Sequence, residues 1–554
     1  TSYRYDGINR LIEKFDAADR EGTLIQAEYD VSSRCDLSRC PNTAGKIAVR
    51  SYPGGIDFLG YDVRRRPFST VRIIEGKTYT MQTRFDNANR EIERIFPDGR
   101  TLSFSFDGAS RVVGIDGVVT EVNYTPQDQL SSLQHSNGIV DTYLYDERLR
   151  VRGVTVDALQ NVQVAYDRVS NVQRLEDAAS GALSPVTQYG YDAWYRSVDV
   201  QRGDNTIAMS FDLLDNVLSK NDETYTYDGR PGAASAIGDR TMSYDEAGCL
   251  LHGHGFENTW DFDGRLVSSV GERSVRSVYG IDHLRVARHN DGLVTHYVSP
   301  DFEVRDGMAV IYARIGRNRV ARLESSDFAA EWLGDADAEV NAATAYQQAQ
   351  AGVANAAQWL SAAARKMLVN DRPTVVALHK DHLGSLTLAT GTSGEVLGRR
   401  AYDVFGAVSA TEGYVDRYGF TGQEHEPHTG LLHFAHRILS TETGQWLSPD
   451  PAFRKVDGGA QARLPEAVAR YSYVLNNPAS RVDPDGLKWK KLNAFKRRGK
   501  NAFRGGGRNR RNRRVYSLSD VGDVTQYNHV GQAESLASVG LANRQPAAQR
   551  PAPA

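Results

Sequence analysis

Cysteine and methionine are scarce in this 554-residue chain, with 3 Cys and 5 Met. Three thiols cannot make a disulfide framework; Cys35 and Cys40 could at most close a small loop in an oxidising compartment. No second Cys or His pair stands beside them at ligand spacing, so no zinc site is expected there. Long apolar runs are missing too: no stretch of about 18 apolar residues occurs, and nothing is expected to span a bilayer. Strong charge of one sign is absent, the net charge being −3, which excludes a generic polyanion or membrane-surface binder. An initiator Met, a basic leader and an apolar leader core are also lacking. The chain starts within what reads as a repeat, Tyr3-Arg4-Tyr5-Asp6-Gly7, and is expected to be a fragment of a longer protein.

What is plentiful is glycine and tyrosine, 50 and 27 residues, a mixture suited to many strands joined by tight turns. Aromatic-Asp pairs recur at Tyr5-Asp6, Phe15-Asp16, Tyr29-Asp30, Tyr61-Asp62, Phe85-Asp86, Phe106-Asp107, Tyr145-Asp146 and Tyr166-Asp167. They continue through Tyr191-Asp192, Phe211-Asp212, Tyr227-Asp228, Tyr244-Asp245 and Phe262-Asp263. Many neighbours stand roughly 17–21 residues apart, the period of a supersecondary unit. Two strands and two turns fill such a unit, and the alternation in Thr101-Leu102-Ser103-Phe104-Ser105-Phe106 gives each strand a buried and a wet face. Each repeat therefore predicts a β-hairpin, its aromatic packed inward. The following Asp should bond to turn amides, where Gly or Asn tolerates positive φ. One hairpin is marginal alone, so the units must stack into a long sheet.

This pattern resembles the YD repeats of bacterial Rhs proteins, of the C subunits of insecticidal ABC toxin complexes and of teneurins. The resemblance implies a mainly β fold: a long antiparallel sheet of hairpins coiled into a hollow shell over residues 1–324. Between about Ser325 and Met367 the composition turns to Ala, Gln, Glu and Asp. Residues 325–372 read as a helical insertion with Trp332, Leu333, Val340, Val353, Trp359, Leu360 and Met367 as its apolar stripe.

Residues 373–487 carry an ordered series of motifs. It begins with His379-Lys380-Asp381-His382-Leu383-Gly384-Ser385, Tyr402-Asp403-Val404-Phe405-Gly406, and Tyr418-Gly419-Phe420-Thr421-Gly422-Gln423-Glu424. It continues with Thr429-Gly430-Leu431-Leu432-His433-Phe434-Ala435-His436-Arg437, Gly444-Gln445-Trp446-Leu447-Ser448-Pro449-Asp450-Pro451, Tyr471-Ser472-Tyr473-Val474-Leu475-Asn476-Asn477-Pro478 and Val482-Asp483-Pro484-Asp485-Gly486-Leu487. The series is similar to the Rhs-associated core, which in that family is an aspartyl protease acting on its own chain. Mapped onto these residues, the resemblance implies cleavage between Leu487 and Lys488, with Asp450 and Asp483 as catalytic carboxylates assisted by Arg437. Two close carboxylates share a proton, so that one activates water while the other protonates the carbonyl or leaving amide. Arg437 would bias which stays charged. Without the resemblance, two Asp-Pro steps read as ordinary turns.

His425, His428, His433 and His436 form two His-x-x-His pairs. On a strand, however, His433 and His436 would face opposite ways, and His379 and His382 read as packing and turn residues. No metal and no cofactor is expected.

Residues 488–554 form a basic tail in the slot where Rhs proteins carry a variable toxin. Lys496, Arg497, Arg498, Arg510, Arg511, Arg513 and Arg514, with Trp489, Phe495 and Phe503 interleaved, would suit a phosphate backbone. The same stretch also reads as a basic linker or a toxin remnant, since no nucleophile-base pair stands in it.

The expectation is thus a secreted or cell-surface bacterial toxin shell that encloses its C-terminal segment and frees it by one intramolecular cut. Its implied partners are the N-terminal remainder of the shell or a B-type subunit, a delivery machinery or translocation pore, and nucleic acid for the tail. The rival reading is a surface adhesion or carbohydrate-binding YD-repeat protein that does not cleave.

Overall fold

The turns explain the architecture. In the computed structural model, Asp146 closes its turn through both carboxylate oxygens: Oδ1 accepts from the amides of Arg148 and Arg150, each at 2.9 Å, and Oδ2 accepts from Arg150 Nε at 2.5 Å. The same arrangement of Asp with a residue four positions on recurs at Asp6, Asp62, Asp86, Asp107 and Asp192. The left-handed residue lies third after the Asp and need be neither Gly nor Asn: Leu149, Ser170 and Tyr195 occupy it with φ of 63°, 77° and 65°. Two charge-assisted amide bonds, with an ion pair to Arg150 or Arg196 or the Asn171 side-chain amide bonded to Asp167, offset the roughly 1–2 kcal/mol that this conformation costs. The pair Phe262-Asp263 was misread, because Asp261, after Trp260, makes the turn with Arg265.

Most of the aromatics also differ from expectation, although Tyr61 is buried in the core. They are more often half-buried links between successive turns than core anchors. The Arg of one turn lies over the ring of the next, as with Arg150 over Tyr166 at 4.3 Å and Arg196 over Phe211 at 4.8 Å. Where the ring is Tyr, its hydroxyl donates back to the preceding repeat, Tyr145 to Leu130 O at 2.8 Å and Tyr166 to Val151 O at 2.7 Å. A phenol buried whole would need such a partner anyway. The pairing register shifts beside most of these aromatics, for example between Leu144 and Tyr145 and between Ala165 and Tyr166. A bulge recurring at one place in most repeats adds twist in one sense, so a strip of repeats must curve.

The structure describes residues 1–30, 32–35, 39–281, 283–325, 374–426, 429–451 and 469–491. Among them almost all the regular secondary structure is antiparallel strand, most of it in two long meanders of 23 and 14 strands. The second meander passes directly from Asn318–Ser325 to Thr374–Lys380, with Ala321 opposite Ala377. The expected helical insertion lies outside the described residues, as do His428 and the tail residues Lys496, Arg497, Arg498, Arg510, Arg511, Arg513 and Arg514. Cys35 and Cys40 form a disulfide.

The two meanders run alongside each other. Tyr79 bonds His296 at 2.7 Å, Phe96 stacks on Phe302 at 5.6 Å, Asn137 donates to Thr390 at 2.9 Å, and Thr387 donates to Gln160 at 2.7 Å. Later still Arg202 meets the Asp403 carboxylate at 3.2 Å. Position advances together on both sides of this seam, so the strip returns along its own side. That leaves fewer open edges, the hazard of any long sheet.

Beyond Gly413 the chain forms a small sheet of Glu424–Glu426, Leu431–His433 and Ile438–Ser440. Its apolar face joins Phe420, Leu432, Phe434, Leu439, Trp446 and Tyr473 to Val200 and Met209 of the first meander. Polar anchors reinforce the contact: Asn477 Nδ2 donates to Tyr195 O at 2.7 Å and to Asn171 at 2.9 Å, and Asn476 Nδ2 donates to Asp215 O at 3.0 Å. The Asn-Asn-Pro motif thus grips the turns of the repeats.

Candidate active site

Leu431–His433 ends in a turn closed by the amide of Phe434 donating to Arg437 O at 3.0 Å. The turn swings Arg437 inward, where its guanidinium lies 4.1 Å over the Trp446 ring. A buried guanidinium needs partners on every edge. Its Nη2 stands 3.3 Å from Asp450 Oδ2 and 3.4 Å from Asp483 Oδ2, its Nη1 reaches the Arg470 carbonyl at 3.5 Å, and its Nε donates to the Gly486 carbonyl. All three charged residues are buried. The geometry therefore brings Arg437, Asp450 and Asp483 together around one nitrogen.

The Leu487–Lys488 bond lies in the loop joining Arg481–Val482 to Lys490–Lys491, two segments that pair antiparallel. Asp483 shapes this loop: its Oδ1 accepts from the Gly486 amide at 2.9 Å and from the Asp485 amide at 3.3 Å. The amide of His436 donates to Asp485 O at 3.1 Å, and Gln423 Nε2 donates to Pro484 O at 3.2 Å. Gly486 is required here. Its φ is +83°, and a Cβ would lie 3.1 Å from the Arg437 amide nitrogen and 3.2 Å from Phe434 Cβ.

Burial raises the Asp483 carboxyl above the ordinary Asp range; the Arg437 charge opposes this and the Asp485 charge adds to it. Burial likewise lowers the Arg437 guanidinium, against the pull of Asp450 and Asp483. Leu487 is partly buried and Lys488 exposed, so the bond between them lies at the margin of the buried cluster.

Sequence reasoning assigned no role to Gln423, Trp446 or Gly486. All three stand in the quoted motifs, and the signal was their fixed place in the series; their contacts to Arg437 and to the loop are made only in the fold. His433 and His436 do not converge: His433 stacks on Tyr279 at 6.2 Å, whereas His436 faces His283 at 5.4 Å. The strand ends at His433, so the two imidazoles diverge through a turn instead of by strand alternation.

The antiparallel meanders of aromatic-Asp hairpins and the motif-rich core after them are similar in repeat and fold to known YD-repeat proteins. Residues 376–479 match the family described as Teneurin YD-shell. Toxin subunit YenC1 of Yersinia entomophaga is 23% identical over 439 residues, covering 67% of this chain and 42% of that protein. The tRNA3(Ser)-specific nuclease WapA of Bacillus spizizenii is 24% identical over 313 residues, covering 54% of this chain and 11% of that one. Among solved structures, TcdB2-TccC3 superposes with a TM-score of 0.69 at 16% identity, covering 88% of this chain and 27% of that one. A Photorhabdus luminescens Tc holotoxin pore gives the same TM-score and identity, with 88% and 26% coverage. The chain spans less than half the length of these relatives. By sequence and fold it is similar to toxin-complex C subunits. No helix among the described residues is long and apolar enough to cross a membrane.

Proposed function

We propose that this chain is part of a secreted Rhs-type toxin shell, and that its core cuts its own backbone once, between Leu487 and Lys488. The observation that carries this reading is the shared contact of Asp450 and Asp483 with Arg437, which also holds the Gly486 carbonyl next to the bond. Two carboxylates on one guanidinium nitrogen are close enough to act on one water and one amide.

Asp483, whose carboxyl burial and Asp485 push upward, serves as the acid. Asp450 serves as the base. Water attacks the Leu487 carbonyl carbon as Asp450 takes its proton and Asp483 protonates the carbonyl oxygen. The C–N bond of the tetrahedral intermediate then breaks as Asp450 passes the water's proton to the Lys488 nitrogen and Asp483 takes back the hydroxyl proton, leaving a new carboxyl on Leu487 and a free amine on Lys488. Arg437 keeps the two carboxylates together and the loop in register; the chemistry runs once per chain.

Residues 1–324 with 373–487 act as the enclosing shell and core, and 488–554 as the enclosed segment. A preceding shell portion or B-type subunit and a delivery pore are the partners this reading requires, since the neighbouring structures are toxin complexes. The basic tail makes nucleic acid its target class. Intact-mass measurement of the purified protein in denaturant tests the cut: two fragments meeting at Leu487/Lys488 support it, and a single full-length mass refutes it.

A further inference from the structure

One buried cluster on the seam is unused by the cleavage chemistry. His135 ends the strand Leu130–His135, Asp141 lies in Val140–Tyr145, and His379 lies in Thr374–Lys380 of the other meander. All three are almost wholly excluded from solvent. Their potential ligand atoms lie within 4.8 Å of one another.

His379 is held from both sides, Nδ1 2.5 Å from Asp141 Oδ1 and Nε2 2.8 Å from Thr390 Oγ1, and Asn137 Nδ2 donates to the same Thr390 oxygen at 2.9 Å. That outer hydrogen bond fixes the ring and aims Nδ1 into the cluster, as partners of metal-bound imidazoles do. His135 is different. Neither ring nitrogen has a hydrogen-bond partner among the described residues, although the residue is 1% exposed. Its Nε2 stands 3.5 Å from Asp141 Oδ2, beyond a good hydrogen bond. That separation is close to the roughly 3.4 Å that two ligands about 2.1 Å from a tetrahedral cation subtend.

We infer that His135, Asp141 and His379 form a structural site for one divalent transition-metal ion, zinc by the match of two imidazoles and one carboxylate. The ion would sit across the seam and bind strands about 240 positions apart in the chain, stabilising the return of the strip along its own side. A small relaxation of the His379–Asp141 contact opens the space the ion needs. This inference is independent of the proposed cleavage.

Elemental analysis of the full chain, purified without chelator, tests it, together with thermal melting before and after chelator treatment and after adding Zn²⁺ alone. The expected result is about one zinc per chain, a melting temperature lowered by several degrees on stripping, and recovery with Zn²⁺. His135→Gln should retain less than a tenth of the metal. Should that variant fail to fold, Co²⁺ added to the stripped wild type decides: the visible absorption of a low-symmetry nitrogen and oxygen site supports the assignment. Absence of stoichiometric metal with no response to Zn²⁺ or Co²⁺, or undiminished binding by His135→Gln, overturns it.

Discussion

The guanidinium of Arg437 donates to the carbonyl oxygen of Gly486, one residue before the Leu487–Lys488 bond. The same side chain contacts Asp450 and Asp483, so a shift in its position would disturb both carboxylates and the loop at once. That coupling sets the first prediction. Asp450→Asn and Asp483→Asn should each reduce self-cleavage by at least 100-fold while the β fold is retained, because each removes the ionisable group and keeps its size. Denaturing gels and intact mass would read this. A new N-terminus at Lys488 in the double variant would mean that an outside protease makes the cut.

Asp485 offers a graded test of the acid. Its charge helps raise the Asp483 carboxyl, so Asp485→Asn should lower that pKa. Asp483 would then lose its proton at lower pH, and the alkaline limb of the cleavage rate should move to lower pH with the acidic limb little changed. An alkaline limb unchanged or moved upward would assign the acid elsewhere.

Acid stability should depend on Asp416. Burial raises its carboxyl, but Arg305 and Arg322 outweigh burial and hold it at about 2, with Arg322 Nη1 at 2.7 Å. Because the folded pKa lies below the unfolded value of about 3.9, the contribution of about 2 kcal/mol is fully present above that pH and is lost as pH falls toward 2. Asp416→Asn should flatten the dependence of stability on pH in that window. It should also lower stability near neutrality by about 3–5 kcal/mol, since buried guanidinium groups lose their counter-charge. Urea unfolding across pH would measure both effects.

The turn chemistry can be tested at Asp192, which accepts from the amides of Trp194 and Arg196 at 2.9 Å each and from Arg196 Nε at 2.7 Å. Asp192→Ala leaves Arg196, nearly buried, without its nearest carboxylate and should cost about 2–4 kcal/mol. The equivalent change at Asp6 should cost visibly less, because its partner Arg10 is more exposed than Arg196. A thermal melt of Asp192→Ala indistinguishable from wild type would show that the Asp is dispensable to the repeat.

The sequence by itself determined the hairpin repeat and the class of fold. Strand alternation and Asp-centred turns act within a few residues, so a run such as Tyr145-Asp146 through Arg150 forms the same turn wherever it stands. Even there the aromatic-Asp pair alone does not specify the turn: the Arg four positions on lets Leu149 and Tyr195 take a left-handed conformation and makes Asp261, not Asp263, the turn residue. The ordered motifs also marked Arg437, Asp450 and Asp483 as candidates. Only the tertiary structure decided that these three meet at one nitrogen, that Gln423 and Gly486 hold the same loop, and that His135 and Asp141 face His379. Those contacts join residues tens to hundreds of positions apart. Their alignment depends on the twist each repeat and its bulge adds, and on buried polar groups that find partners only when the strip lies alongside itself.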